Sequence, residues 1–232
     1  MSIPKRLAAS RLKVCKKTPY FSKAVWALQP IRSEKVPTIA ADRWWRLYYN
    51  PSTLDDWSIN EVAAKITNQL MHLLREHPKR GENRNPDLFT LAGDCEVNDD
   101  MIIDKQVMPE ESVLPSDFDM EDGQVAEQYY NELMDKIDPQ QAVPQAGQQA
   151  AANSGSAASG TKAEWELPAP NEEGASDLSE SEKGLNEINE KMLRKSVAND
   201  IKSSKSRGNM PGDWERWADE VLESKVDWRK EF

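Results

Sequence analysis

Residues 58–81 read SINEVAAKITNQLMHLLREHPKRG, and this stretch decides the fold. Ser58-Ile59-Asn60-Glu61 is a capping box. In it the Ser hydroxyl and the Glu carboxylate each satisfy a backbone N–H that the first helical turn leaves free. Ile59, Val62, Ala63, Ile66, Leu70, Leu73 and Leu74 then recur at intervals of three and four, which draws one apolar stripe along a long helix. Pro78 and Gly81 predict its end. An amphipathic helix of this length needs surfaces to pack against, and the flanking sequence supplies them.

Upstream, Pro4 to Lys17 places Leu7, Leu12 and Val14 among small and basic residues, as a short amphipathic helix does, and Thr18-Pro19 stops it. Tyr20 to Leu28 is rich in aromatic residues, and Pro30 and Pro37 bracket a turn. Thr38 to Ala41 and Trp44 to Tyr49 read as two short strands joined through Asp42-Arg43 and closed by Asn50-Pro51. Downstream, Asn85-Pro86-Asp87 announces a second helix, with Leu88, Leu91, Ala92 and Cys95 on its apolar side. Gln124 to Ile137 spaces Val125, Tyr129, Leu133 and Ile137 by four, another helix. Between Gln140 and Thr161 there is no charged residue, the composition of a flexible linker. Ser179 to Ser203 and Pro211 to Val226 read as helices, the latter carrying Trp214, Trp217, Val221 and Leu222.

Composition sets limits on this picture. Of 232 residues, 38% are hydrophobic and 30% charged, and the mean hydropathy is -0.77. Such a chain cannot bury itself throughout, yet 8 Trp, 5 Tyr and 4 Phe are too many for a wholly disordered one. One modest folded domain with a polar remainder is expected. No apolar run approaches the roughly 20 residues of a membrane helix, and the basic N-terminus has no apolar signal core behind it. Cys15 and Cys95 make neither a disulfide framework nor a four-cysteine zinc site. The cytoplasm is the expected compartment.

Charge is uneven. Residues 1–90 carry 16 Lys and Arg against 8 Asp and Glu, residues 91–139 carry 2 against 15, and residues 140–232 carry 12 against 17. The basic first third could attract phosphates. The acidic stretch beside it competes for the same cations, so the two neutralise each other and no nucleic acid is expected.

The long helix also carries a chemical pattern. Two His at i and i+4 with a Glu after the first hold zinc and activate its water, because four residues turn a helix by about 400° and both imidazoles face one ion. Here Asn68-Gln69-Leu70-Met71-His72 is that arrangement with both other polar positions turned into amides.

Further stretches belong with it: Arg6-Leu7-Ala8-Ala9, Lys17-Thr18-Pro19-Tyr20-Phe21 and Trp45-Arg46-Leu47-Tyr48-Tyr49-Asn50-Pro51. So do His72-Leu73-Leu74 with His77-Pro78, the run from Ala92 to Asp100, Trp165-Glu166-Leu167, Pro211-Gly212 and Lys225-Val226-Asp227-Trp228-Arg229. Together they resemble the bacterial and phage family of putative metallopeptidases that carry a C-terminal VWA-like domain. The resemblance implies an α+β, zincin-like fold, mainly helical with a small sheet beside the motif helix. It implies zinc as cofactor, with ligands at the positions of Asn68, His72 and Asp94, a further His at His77, a general base at the position of Gln69, and an AAA-type ATPase as associate. On this basis residues 4–137 form the metallopeptidase-like domain. Residues 138–163 form a low-complexity linker, and 164–232 a helical segment that would precede the VWA-like domain, itself absent.

The departures fall on the chemistry. Asn68 stands for the first His, Gln69 for the Glu, and Asn153 for a His or Cys before a Gly-Ser-Gly turn. An amide binds zinc far less well than imidazole, and Gln is no general base at ordinary pH. The first reading is therefore a module that has lost catalysis and binds a peptide or protein partner. A second is an active, divergent metallopeptidase using His72, His77 and Asp94 with Glu76 as base. A third is a truncated, non-functional remnant. His77, about 140° round the helix from His72, suits a contact with the helix C-terminus. Asp94 without a metal needs partners, for which Arg43 or Arg46 are available. Glu96, Asp99, Asp100 and Asp104 read as a solvated face. Trp44 and Trp45 read as alternate faces of a strand, and Trp44, Trp45 and Arg46 mark the hairpin on which a peptide could add as a strand.

Overall fold

A computed structural model describes residues 3–103, 105–110, 112–136, 154–180, 182–204 and 212–223. The fold is α+β and mostly helical, with one three-stranded sheet. Helix α1 (Lys5–Lys17) leads through a 3-10 turn to α2 (Ser22–Ala27). Strands β1 (Gln29–Arg32), β2 (Ile39–Ala41) and β3 (Arg46–Tyr49) follow, and the short helix α3 (Pro51–Leu54) after them. Next come the motif helix α4 (Ile59–Leu74), the single turn α5 (His77–Arg80), α6 (Pro86–Ile103) and α7 (Ala126–Lys136). After residues outside the described set come α8 (Ser156–Ser159), α9 (Glu187–Ser204) and α10 (Gly212–Leu222).

The capping box forms as read: Glu61 N–H donates to Ser58 Oγ at 3.2 Å and Ser58 N–H to Glu61 Oε2 at 2.8 Å. The stripe it starts buries Val62, Ala63, Ile66, Leu70, Leu73 and Leu74. Asn85 caps α6 by accepting from Asp87 N–H and Leu88 N–H, each at 3.1 Å.

The end of α4 differs from the expected one. The helix stops at Leu74, and Glu76 takes a left-handed conformation at φ 56 before α5 begins. The cause is Pro78, which has no N–H to give to the carbonyl four residues back. That carbonyl is Leu74 O. It accepts instead from Arg194 Nε at 3.0 Å and Trp217 Nε1 at 3.1 Å. Arg194 also pairs with Glu76 Oε2 at 2.7 Å.

The sheet runs β1-β3-β2, with β1 parallel and β2 antiparallel to β3. Pro30 lies in β1 opposite Leu47 rather than in a turn, which an edge strand tolerates. Trp44 and Trp45 fall in the turn before β3, and Trp45 sits fully buried at φ 66.

One main hydrophobic cluster collects Leu7, Phe21, Leu47 and Leu70 together with Ala157, Val197, Ile201 and Trp214. Within the uncharged stretch, Ser154, Ser156, Ala157 and Ala158 are packed, not exposed. Ile137, Asn153, residues 138–152 and 224–232 lie outside the described residues. No helix among the described residues is long and apolar enough to cross a membrane.

Candidate functional site

Helices α4 and α6 lie side by side, and the one-turn spacing brings Asn68 and His72 to the same face, opposite Asp94. Asp94 Oδ1 lies 2.9 Å from Asn68 Nδ2 and 3.2 Å from His72 Nε2. All three side chains are buried. Gly93 makes the close approach possible, because a Cβ there would stand 2.8 Å from His77 Nδ1 and 3.2 Å from His72 Cε1.

The amides at 68 and 69 are oriented by a chain that starts at backbone. Ala41 N–H, on β2, donates to Gln69 Oε1 at 2.7 Å. Gln69 Nε2 then faces Asn68 Oδ1 at 2.8 Å, and Asn68 Nδ2 donates to Asp94 Oδ1 and to Asn98 Oδ1 at 3.0 Å. Asn98 in turn donates to Val113 O at 2.8 Å. The backbone N–H of Ala41 can only donate and the backbone carbonyl of Val113 can only accept, and between them they fix every amide of the chain.

His77 is where the structure corrects the helical projection. Because α4 breaks at residues 75–76, His77 folds back, and its Nδ1 lies 2.7 Å from Nδ1 of His72. It makes no helix-end contact; its Nε2 meets Glu96 Oε2 at 3.2 Å. The result is a linear chain, Asp94–His72–His77–Glu96. Three links need three protons, and two neutral imidazoles supply two. The chain is complete only when it holds one extra proton. Burial pushes the His77 imidazole down to about 4.

Glu96 and Asp99 also depart from the solvated face expected of them. Both are buried. Glu96 accepts from Arg75 Nη1 at 2.9 Å, Arg80 Nη2 at 2.9 Å and Ala126 N–H at 2.6 Å. Burial works to raise its carboxyl, yet His77, Arg75 and Arg80 together hold it well below the usual range. Asp99 Oδ2 accepts from Gly123 N–H and Tyr129 Oη, each at 2.8 Å, and burial raises its carboxyl to about 6. Asp100 pairs with Arg75, and Asp104 lies outside the described residues. The partners of Asp94 are Asn68 and His72, not Arg43 or Arg46. On Asp94 too burial works upward, but His72 and Asn68 hold the carboxyl low.

The hairpin residues serve the fold. Trp45 and Arg46 are fully buried, and β3 is the central strand, so neither offers a free edge to a peptide. Arg46 pairs with Asp42 through Nε and donates to Pro168 O at 2.9 Å, Glu182 O at 3.1 Å and Leu167 O at 3.1 Å. Trp44 O accepts from Leu185 N–H at 2.8 Å. The outer edge of β2 is covered at Ala41 as well: Gln69 takes its N–H, and a Cβ on Gly155 would stand 2.5 Å from its carbonyl.

Glu166 holds this cover in place. Its Oε1 accepts from Ser156 N–H at 2.6 Å and its Oε2 from Ser156 Oγ at 2.8 Å, while Ser156 Oγ accepts from Arg43 N–H at 2.9 Å. Burial and then the nearby Asp42 raise the Glu166 carboxyl from 4.5 to about 7. The folded state thus holds this proton more tightly than the unfolded chain does. The stability it contributes is full below about pH 4.5 and is lost as the pH rises through about 7. Glu166→Gln keeps the bond from Ser156 N–H, turns the contact with Ser156 Oγ round so that the amide donates, and removes the titration. Between about pH 5 and about pH 8, urea unfolding should show the parent losing about 3 kcal/mol relative to this variant. Parallel pH profiles would show that Glu166 does not titrate there.

Among the described residues no three His, Cys, Asp or Glu side chains are grouped to hold a metal ion. Asn68 presents N–H to Asp94, not a lone pair to a cation. His77 and Asp94 meet opposite nitrogens of His72, so the three do not converge on one point. As arranged, this donor set does not fit a zinc ion. The helical spacing singled out Asn68, Gln69 and His72, and the family resemblance singled out Asp94. Neither revealed Asn98, the closeness of Gly93, or Glu166, for none has a spacing signal.

A family model described as a putative metallopeptidase domain matches residues 2–232. No curated protein and no solved structure matches.

Proposed function

The chain belongs to the putative metallopeptidase domain family, and from that premise we propose that it is a zincin-like module which no longer hydrolyses peptides and acts by binding a peptide or protein partner. One observation carries the reading: the amide chain from Ala41 through Gln69 and Asn68 to Asp94. At the two positions where the chemistry needs an imidazole ligand and a carboxylate base stand two amides, locked into each other with every polar atom satisfied. Gln69 can neither accept nor return a proton. Turning Asn68 so that its oxygen faced Asp94 would set acceptor against acceptor and undo the bond from Gln69. Chemistry through the motif helix therefore needs the network dismantled first.

Zinc quantification on the purified protein at neutral pH, with a casein cleavage assay alongside, tests this. The expected result is well under one zinc per chain and no cleavage that EDTA abolishes. Stoichiometric zinc together with EDTA-sensitive cleavage would overturn the proposal and restore the reading of an active enzyme.

A further inference from the structure

The single turn α8 packs against α4, α5, α6 and β2, the elements that carry His72, His77, Asp94 and the edge at Ala41. Residues 154–160 thus plug the groove beside the motif site. The fit is close: a Cβ on Gly81 would stand 2.5 Å from Ser159 O, and one on Gly160 would run into Pro78 O. Yet little of the hold is hydrophobic. Ser154, Ser156, Ala157, Ala158 and Ser159 are buried, and two methyl groups are all the apolar side chain they bring to the core. Ser154 Oγ is buried with no hydrogen-bond partner among the described residues, and opening would return it to water. Gly155 at φ 65 and Gly160 at φ 79 bracket the turn, and hinges are commonly built from a few such element-terminal residues.

The fastening is polar, and it converges on Glu166, which takes both the N–H and the hydroxyl of Ser156. The charges around that carboxyl do not favour its ionised form. From the turn before β3, Asp42 faces it, with Arg46 already paired to Asp42. Arg43 of the same turn reaches toward Glu82 at 3.9 Å and lies over the Trp44 ring. From β3 comes Tyr48 Oη, which donates to Asp42 and accepts from Leu167 N–H. From α5, Lys79 and Arg80 turn to Glu76, Glu96 and Glu127. On the plug's own segment Lys162 pairs with Glu172. Among the described residues no Lys or Arg is paired with Glu166. Protonated, the carboxyl donates to Ser156 Oγ and sits uncharged. Ionised, it is a second buried negative charge beside Asp42, relieved by reaching water. Beyond Glu166 the chain stays fastened, because Arg46 holds Leu167 O and Pro168 O. We propose that residues 154–160 are a plug over the motif groove whose release is driven by loss of the Glu166 proton. The groove then opens on the alkaline side of that titration and closes on the acid side. This deepens the reading of a partner-binding module and rests on it, since it supplies that module with a gate.

The test is amide hydrogen exchange of the full chain, read residue by residue by NMR, in the parent and in Glu166→Gln. Comparison at equal pH cancels the intrinsic pH dependence of exchange. Between about pH 5.5 and about pH 8, the ratio of parent to variant rates at residues 156–160 should rise about tenfold or more. At about pH 8 these amides, and the Arg43 N–H that Ser156 holds, should exchange at least about tenfold faster than the buried amides of α1 and α4. Ala41 N–H, held by Gln69 and not by the plug, should stay protected with α4. Ser156→Ala takes the hydroxyl from both Glu166 and Arg43. It should speed exchange of the plug about tenfold at about pH 5.5, and it stands in if Glu166→Gln misfolds. A ratio that stays constant with pH, plug amides no faster than those of α1, Ala41 released together with the plug, or unchanged exchange in Ser156→Ala would each overturn the proposal. None of these readouts involves zinc or casein. Their failure therefore leaves the partner-binding reading standing, whereas the failure of that reading shows as EDTA-sensitive cleavage.

Discussion

Arg46→Met should cost roughly 3–5 kcal/mol of folding free energy, the usual loss when one partner of a buried ion pair is removed. Asp42 and Arg46 are both fully buried, and burial pushes the Asp42 carboxyl up, so without the guanidinium a buried charge is left with no counter-ion. The remaining donors to Asp42 are Trp44 N–H, Arg46 N–H and Tyr48 Oη. The variant also strips donors from the carbonyls of Leu167, Pro168 and Glu182. With total stabilities of about 5–15 kcal/mol, this is a large fraction. Urea denaturation measures it, and limited proteolysis should cut first within residues 160–186, the segment those carbonyls anchor. Asp42→Asn placed on top of Arg46→Met should recover part of the loss by removing the stranded charge. A cost under about 1 kcal/mol, with no new cleavage, would mean that the segment is not fastened through Arg46.

Asn68→His with Gln69→Glu should convert a protein that leaves zinc in solution into one that takes up about one ion per chain. A carboxylate at 69 can still accept from Ala41 N–H, so the link to β2 survives the change. An imidazole at 68 replaces the amide N–H that now faces Asp94 and brings a lone pair beside His72 Nε2. Asn98 Oδ1 loses its donor in the exchange, a cost of about 1–3 kcal/mol. Zinc binding offsets most or all of it: at a free concentration 100 times Kd the ion stabilises the fold by about 2.7 kcal/mol. Zinc per chain by atomic absorption and a rise in Tm on adding zinc are the readouts. A folded double variant that takes up none would count against the placement of Asn68, His72 and Asp94 around one point.

Much of this site was legible in residues 58–74. The capping box set the phase of α4, and the phase set Asn68, His72 and the apolar stripe on their respective faces. What followed Leu74 was not legible, because a helical projection assumes the helix continues. Pro78 dictates that the helix breaks, but the course of the chain beyond the break depends on what receives the freed Leu74 carbonyl, and those groups are Arg194 and Trp217. His77 was therefore placed on the wrong side of the motif. Glu96 and Asp99 were misread for a related reason: α6 is buried almost all round, from Leu88 to Asp99, so it shows no polar face to be told from an apolar one. Burial of its acids is bought by Arg75, Arg80 and Tyr129, which stand elsewhere in the chain. β1 was hidden behind Pro30, which reads as a turn until its neighbour in the sheet is known. The uncharged stretch showed the limit of composition, since nothing in SGSAAS announces that its alanines are buried.

The Leu74 carbonyl also has a consequence in time. Its second donor, Trp217, lies 143 residues further along the chain. During synthesis at about 5–20 residues per second, α4 leaves the ribosome on the order of ten seconds before Trp217 exists. Through that interval the kink that returns His77 to His72 is held by local contacts and lacks this donor. The local helices can form at once, but the Leu74 carbonyl beside the histidine pair gains its full set of donors only when α10 arrives.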